Sequence, residues 1–183
     1  MKFRMLMAVA LAIAPGTALA QQMSTMQSHA GGVASVRPLY DMVKGWVVSS
    51  AEQMPEANYA FRPTPDVRTF GQLLGHVANA SYMFCSYAKG EKNPATSDFE
   101  KTTAKAALVQ AVKDAFAYCD GAYQITDMKA MEEVTITEAN MKGSKLWVLN
   151  FNMGHDFEHY GNMVTYFRIK GMVPPSSQGG MGR

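Results

Sequence analysis

Four stretches of helical periodicity, separated by proline and glycine residues, constrain the fold of this 183-residue chain more than any other feature. In each stretch apolar side chains recur every three or four residues, the spacing that places them on one face of an α-helix. Prolines that follow a stretch, and glycines just after its last apolar residue, indicate where a helix ends and so mark the connections. We predict helices over residues 33–54, from a cap at Asp66 or Thr69 to residue 90, over 101–124, and from a cap at Ser144 to residue 171.

The connections between the predicted helices contain no pattern that would build a sheet. Residues 128–143 combine a short alternation around Val134 and Ile136 with turn residues, which indicates an irregular connection containing at most a short extended piece. Four long helices without a convincing sheet predict an all-α fold, a four-helix bundle.

The first 20 residues have the features of a secretory signal peptide. Lys2 and Arg4 precede an apolar run over residues 5–15, and small residues at 18–20 favour cleavage before Gln21. The run is shorter than the ~20 residues that span a bilayer. We therefore expect an exported protein, periplasmic or secreted, with no stable membrane insertion after cleavage.

Removal of the signal leaves 163 of the 183 residues, a length that suits one domain. We expect a flexible lead-in over 21–32 that carries His29, the bundle over 33–176, and a flexible glycine-rich tail over 177–183. The signal contains two of the 17 basic residues and none of the 15 acidic ones, so the mature formal charge is zero. Without a cluster of basic residues, we expect no nucleic-acid partner.

The chain has two cysteines, Cys85 and Cys119, and in an oxidising compartment such a pair more often forms a disulfide than two free thiols. Each lies roughly four or five residues before the end of its predicted helix. An antiparallel pair of helices would separate the cysteines by on the order of 20 Å, too far for a disulfide. We predict the Cys85–Cys119 bond, and with it parallel second and third helices joined by a crossover.

Three histidines form the candidate metal site. His155 and His159 are four residues apart, so both rings lie on one face of the last helix and can reach one ion. His76 lies in the buried stripe of the second helix, where an unpaired polar ring would be costly. We predict one divalent ion on these three side chains, with a position open for water or substrate; three imidazoles suit zinc, nickel, iron or copper.

Other interpretations of these residues stay open. A single histidine on an apolar face is more often a hydrogen-bonded core residue than a ligand, and two histidines four residues apart also occur by chance. Asp156, Glu158 and Tyr160 lie beside the predicted ligands and are candidates for proton transfer. Each carboxylate is about 100° or more around the helix from a ligand, which favours a solvated or inter-helix role for Asp156 and Glu158 over a catalytic one.

Two segments strongly resemble the DinB family. The first is a proline-rich stretch that ends in a histidine, FRPTPDVRTFGQLLGH at 61–76, and the second contains the paired histidines and a YxRxxGxxPP-like end, HDFEHYGNMVTYFRIKGMVPP at 155–175. The resemblance extends from about residue 33 to 176. It implies a bundle that runs up, down, down, up, with a divalent metal bound by the histidines that match His76, His155 and His159.

The resemblance implies less about activity. Many members are described as metal-dependent hydrolases, and some relatives are transferases or isomerases that use a low-molecular-weight thiol. We therefore expect hydrolysis of a small molecule, with a non-catalytic metal- or ligand-binding bundle and a thiol-dependent S-transferase as alternatives. Export weakens the last alternative, because the reduced thiol pool is cytoplasmic. The sequence does not identify the substrate, and the oligomeric state stays open, a homodimer being one alternative.

Overall fold

A computed structural model describes residues 31–138 and 140–178 of the protein. The predicted signal peptide, His29 and the tail from residue 179 lie outside the described residues. The helices and strands, in chain order, are α1 (Gly32–Gln53), α2 (Phe70–Lys89), α3 (Lys105–Ala122), α4 (Asp127–Ala130), β1 (Glu133–Ile136), β2 (Met141–Ser144) and α5 (Lys145–Ile169). Three short 3-10 helices cover Glu56–Asn58, Phe99–Lys101 and Pro175–Ser177.

The four long helices confirm the predicted all-α bundle, and the local sequence explains their ends. Of the two caps predicted for α2, Thr69 is the one used: its side chain accepts from the Gln72 backbone N–H, and the Gln72 side chain accepts from the Thr69 backbone N–H. Gly90 ends α2 with φ 74°, a left-handed conformation that favours glycine. Ser144 caps α5, as predicted.

Two connections differ from the sequence prediction. Helix α3 begins at Lys105 and not at 101, because residues 99–101 form a separate 3-10 turn that is capped by Asp98 and fastened to α2 by Asn79. Residues 128–143, predicted as irregular, contain most of α4 and an antiparallel hairpin in which Ile136 pairs with Met141. The hairpin is held because Ile136 is fully buried in the core.

Contacts between the long helices confirm the up-down-down-up order. Helices α2 and α3 are parallel, since a Cβ at Gly71 would touch Leu108 near both N-termini while Cys85 and Cys119 are joined by a disulfide near both C-termini. Helix α5 is antiparallel to α2, because Phe84 packs on Phe151, with 5.1 Å between ring centroids.

Helix α1 packs between α3 and α5. Tyr40 near its start donates to the Phe116 carbonyl near the end of α3, at 3.0 Å, so these two helices are antiparallel. Trp46 stacks on Tyr160 of α5, with 5.1 Å between ring centroids. None of the described helices combines the length and apolar character that a membrane crossing requires.

The core lies between the four long helices. Its largest fully buried side chains are Tyr40, Phe70, Phe116, Phe167, Met54, Leu74, Leu108, Ile136, Leu149 and Met163. Helices α2 and α5 also bury polar groups, among them Ser81, Asn152, Asp156 and His159. Buried polar groups require a partner, so the interface between these two helices is the part of the fold that calls for a chemical explanation.

Candidate metal centre

Three histidine rings converge between α2 and α5. The Nε2 atoms of His76 and His155 are 3.1 Å apart, and those of His155 and His159 are 3.0 Å apart. One ring nitrogen from each of the three residues lies within 4.8 Å of the others. The antiparallel packing produces this arrangement, because it sets His76 opposite the single turn of α5 that carries the other two rings.

The donor set matches a divalent ion. A tetrahedral zinc ion with bonds of about 2.0–2.1 Å separates its ligand nitrogens by roughly 3.3–3.4 Å, close to the spacings between these rings. Hydrogen bonds among the rings explain the arrangement less well. The Nε2 atom of His155 faces two other ring nitrogens, yet it carries one proton at most. A cation would let all three nitrogens accept at once.

Burial keeps two of the rings uncharged. Burial, together with the neighbouring His159 and His76 rings, lowers the pKa of His155 to about 3. Burial, with a contribution from His76, lowers the pKa of His159 to about 4. Both are therefore neutral at neutral pH, the form in which imidazole binds a metal.

Glu100 contacts the site, although no pattern in the sequence predicted it there. Its Oε1 atom lies 2.7 Å from Nδ1 of His76, and the Arg68 Nε atom donates to its Oε2 atom at 3.0 Å. Burial raises the pKa of this carboxyl, but the hydrogen bonds from Arg68 and His76 outweigh that effect and hold it below its usual range. Glu100 is 24 residues from His76 and belongs to a 3-10 turn that the helical pattern did not predict.

The histidines of α5 lack such support within the described part of the chain. The Nδ1 atoms of His155 and His159 are buried and have no hydrogen-bond partner there. Phe84 packs edge-on against the His155 ring, with 5.8 Å between centroids. Helix geometry and apolar packing position these two rings, whereas a carboxylate orients His76.

The three candidates for proton transfer lie in different surroundings. Asp156 is fully buried and accepts from Asn152 at 3.2 Å. Tyr160 is buried against Trp46, and its hydroxyl accepts from the Ser176 backbone N–H at 2.8 Å. Glu158 is exposed and lines the cleft beside His159. Of the three, only Glu158 faces a space that a substrate could enter.

Asp156 belongs to a polar cluster inside the bundle. Its carboxylate and Asn152 share one hydrogen bond, and Asn152 also donates to the Tyr123 hydroxyl at 3.2 Å. One oxygen of Asp156 and the side-chain oxygen of Asn152 have no partner among the described residues. Burial raises the pKa of Asp156 well above its usual value.

A cleft of about 780 Å³ opens beside the histidines. Most of the residues that line it are polar or charged, among them Arg62, Arg68, Gln72, Glu100, Glu158 and His159. A second depression of about 370 Å³ adjoins His155 and is lined by residues of α5 that include Trp147 and Phe151. His159 lines the larger cleft and His155 lines the smaller depression, so each hollow opens one ring of the histidine cluster to solvent.

Comparison with known proteins agrees with this fold. The model of the DinB superfamily matches residues 47–163. A DinB-like protein from Bacillus cereus has a TM-score of 0.63 at 15% identity, over 73% of this chain and 89% of that one. A DinB-like protein from Bacillus subtilis has a TM-score of 0.58 at 18% identity, over 76% and 94%.

A third solved structure has a stated activity. The mycothiol-dependent maleylpyruvate isomerase has a TM-score of 0.61 at 14% identity, over 72% of this chain and 60% of that one. At these identities the likeness establishes a shared fold. No curated protein sequence matches the chain.

Proposed function

We propose that this chain, which belongs to the DinB superfamily, is an exported enzyme that binds one divalent metal ion on His76, His155 and His159 and hydrolyses a small molecule in the adjacent cleft. The observation that carries the proposal is the convergence of three Nε2 atoms, at 3.0 and 3.1 Å, beside a cleft of about 780 Å³. Three protein ligands leave room for a further ligand, which is typical of catalytic and not of purely structural zinc sites.

The chemistry of the site divides between the ion and the protein. When bound, a divalent ion supplies Lewis-acid chemistry at a substrate oxygen. The side chains of His155 and His159 are neutral at neutral pH and therefore keep their lone pairs for that ion. Glu158 lies in the cleft wall beside His159, where an exposed carboxylate can accept a proton from water.

Two other functions remain as alternatives. A non-catalytic binding bundle would use the same three ligands, and turnover is what separates the two. The thiol-dependent alternative has a structural neighbour in the mycothiol-dependent isomerase, but the fold alone is shared at 14% identity. Activity that requires an added low-molecular-weight thiol would favour it over hydrolysis.

Metal analysis tests the proposal most directly. The full chain would be expressed with its own N-terminus, and the exported protein purified, reconstituted with zinc, nickel or iron in turn, and measured by elemental analysis. We expect about one ion per chain, loss of most of it in His76→Ala, His155→Ala or His159→Ala, and no loss in His29→Ala. A reconstituted protein without metal, or full occupancy in His76→Ala, would contradict the proposed site.

Export has a separate test. Intact mass or N-terminal sequencing of the exported protein should show a chain that begins at Gln21. A product that retains its first 20 residues would contradict the cleavage, and a product found only in the cytoplasm would contradict export, while the metal site would be unaffected by either result.

A further inference from the structure

We propose that Glu100 is a positioning residue that fixes the His76 ring for metal binding, and that Gly75 and Asn79 of α2 hold the crossover segment that presents it. The proposal rests on the three-histidine metal site proposed above. It assigns roles to three residues outside the ligand set. One of them, Glu100, comes from the connection between α2 and α3 and not from the helices that carry the ligands.

The first step is the tautomer of His76. An ionised carboxylate can only accept hydrogen bonds, so the 2.7 Å contact between Glu100 and Nδ1 of His76 requires the ring to donate from Nδ1. A neutral ring that carries its proton on Nδ1 has its lone pair on Nε2. Nε2 is the atom that faces the other two histidines, 3.1 Å from His155. Glu100 thus selects the form of His76 that can bind an ion at the centre of the cluster.

The second step is the attachment of the segment that carries Glu100. Asn79 follows His76 by nearly one turn of α2, and its side chain makes two hydrogen bonds to the crossover. Its amide nitrogen donates to Asp98 at 2.8 Å, and its amide oxygen accepts from the Phe99 N–H at 3.1 Å. The same Asp98 oxygen accepts from the Glu100 N–H at 3.1 Å. Asn79 therefore fixes the backbone on the N-terminal side of Glu100.

The third step is the close approach of this segment to α2. A Cβ atom at Gly75 would lie 2.4 Å from the Phe99 carbonyl oxygen and 2.7 Å from the Glu100 nitrogen. Contacts this short do not occur, and both atoms belong to the backbone, so any larger residue at 75 would push the turn away. The absence of a side chain at Gly75 is what lets Glu100 reach the ring of the next residue.

The chain also provides a matched control. Gly154 precedes His155 in α5 as Gly75 precedes His76 in α2, but a Cβ atom at Gly154 would meet nothing within 4 Å. Gly75→Ala and Gly154→Ala should change helix propensity alike, so a difference between the two variants reports the contact of Gly75 with the crossover.

The experiment measures two quantities on the full exported chain. Nitrogen chemical shifts of the imidazole rings report the His76 tautomer in metal-free protein, and competition with a chromophoric chelator reports the zinc Kd. In Glu100→Ala we expect loss of the Nδ1–H form and a zinc Kd weaker by about 10- to 100-fold, the usual effect of removing a carboxylate behind a ligating histidine. Glu100→Gln keeps an acceptor, so the tautomer should stay and the loss should be smaller.

The helix variants test the supporting contacts. Gly75→Ala and Asn79→Ala should weaken zinc binding in the direction of Glu100→Ala, and Gly154→Ala should stay within about twofold of the wild type. Circular dichroism establishes that each variant is folded. If Gly75→Ala does not fold, the partly exposed Glu100 still decides the question, because its own substitution removes no buried apolar group.

Two results would overturn the proposal: an unchanged His76 tautomer in Glu100→Ala, or a zinc Kd in that variant within twofold of the wild type. A wild type that binds no zinc would instead contradict the proposed function. The tautomer is measured without metal, so the orientation of His76 by Glu100 is decided separately from that outcome.

Discussion

The two helices that carry the proposed ligands each have a glycine immediately before a histidine, and the two pairs work differently. In α2, Gly75 lets the backbone of the crossover lie against the helix, and Glu100 from that crossover contacts the His76 ring. In α5, Gly154 faces open space, and the Nδ1 atom of His155 has no partner in the described part of the chain. The Gly-His dipeptide therefore occurs twice in the site. In α2 the histidine has a hydrogen-bond partner on its Nδ1 atom, and we call this the supported half; in α5 it has none among the described residues, and we call this the unsupported half.

The difference shows two ways to position a ligand. The α5 half depends on the spacing of His155 and His159 along one helix, which short-range sequence determines. The α2 half depends on a segment that returns to the helix 24 residues after His76. Substitutions of the α5 histidines should thus alter the pH dependence of stability. Substitutions in or near α2 should instead alter the attachment of the crossover segment to that helix.

Lowering the pH should destabilise the folded protein through the two buried rings of α5, and this is the largest effect that we expect. The pKa values of about 3 for His155 and about 4 for His159 lie below the unfolded value of about 6.5. Above pH 6.5 both states are neutral and the rings contribute no pH dependence. Below it the unfolded state binds the protons, so the free energy of unfolding should fall by up to about 1.4 kcal/mol per pH unit for each ring.

Urea denaturation of metal-free protein between pH 7.5 and 4.5 measures this loss. In the double variant His155→Gln, His159→Gln the free energy of unfolding should decline less steeply as the pH falls, because glutamine does not titrate and only the other ionisable groups still contribute. An identical slope in the double variant would mean that the two rings titrate normally, and the contrast between the halves would then lose its electrostatic part.

The next effect concerns the attachment of α2 to α3. The disulfide closes a loop with a sequence separation of 34 that contains the whole crossover. Removal of a cross-link of this size should lower the free energy of unfolding by about 3–4 kcal/mol, since the unfolded chain gains conformational freedom. Reversible denaturation of the double variant Cys85→Ala, Cys119→Ala should show this loss of stability. Zinc affinity should change little, because Asn79 and Gly75 hold the turn independently; a large loss would show that they do not.

Local sequence predicted the parts of the site that local structure determines. Thr69, one of two candidate caps, and Gly90 marked the ends of α2, and the spacing of His155 and His159 predicted that they share a face of α5. Glu100 was not found, because it lies in the connection before the predicted third helix, and the 3-10 turn that carries it is brought to α2 by long-range hydrogen bonds such as the one from Phe99 to Asn79. Its position is a tertiary property.

The same limit applies to residues next to a ligand. Asp156 follows His155 directly, and adjacency in the chain suggested a role in proton transfer. The 100° step along a helix instead turns its carboxylate into the core, where it contacts Asn152. Which face of α5 is buried, and against which partners, depends on the packing of the other three long helices.

A smaller effect follows for Asp156. Burial raises its pKa, so the folded state retains a proton that the unfolded state loses above about pH 4. The group therefore reduces stability at pH 7, and the reduction disappears at acid pH. Asp156→Asn should raise the free energy of unfolding at pH 7, and should raise it by less at pH 4. Thermal unfolding at both pH values tests this, with the exposed Glu158→Gln as a control that should shift neither.

The smallest expected effect returns to the two glycines. Gly154 is an interior residue of α5, and an added Cβ there would meet nothing within 4 Å, so Gly154→Ala should raise the free energy of unfolding by about 0.5–1 kcal/mol through the reduced freedom of the unfolded chain. Gly75→Ala gains the same helix propensity, but its methyl group collides with the Phe99 carbonyl, so the net change should be destabilising. Urea denaturation of the two variants at pH 7.5, where His155 and His159 do not titrate, compares them directly. Equal stabilisation in both would mean that the crossover does not lie against α2, and the supported and unsupported halves of the site would then be alike.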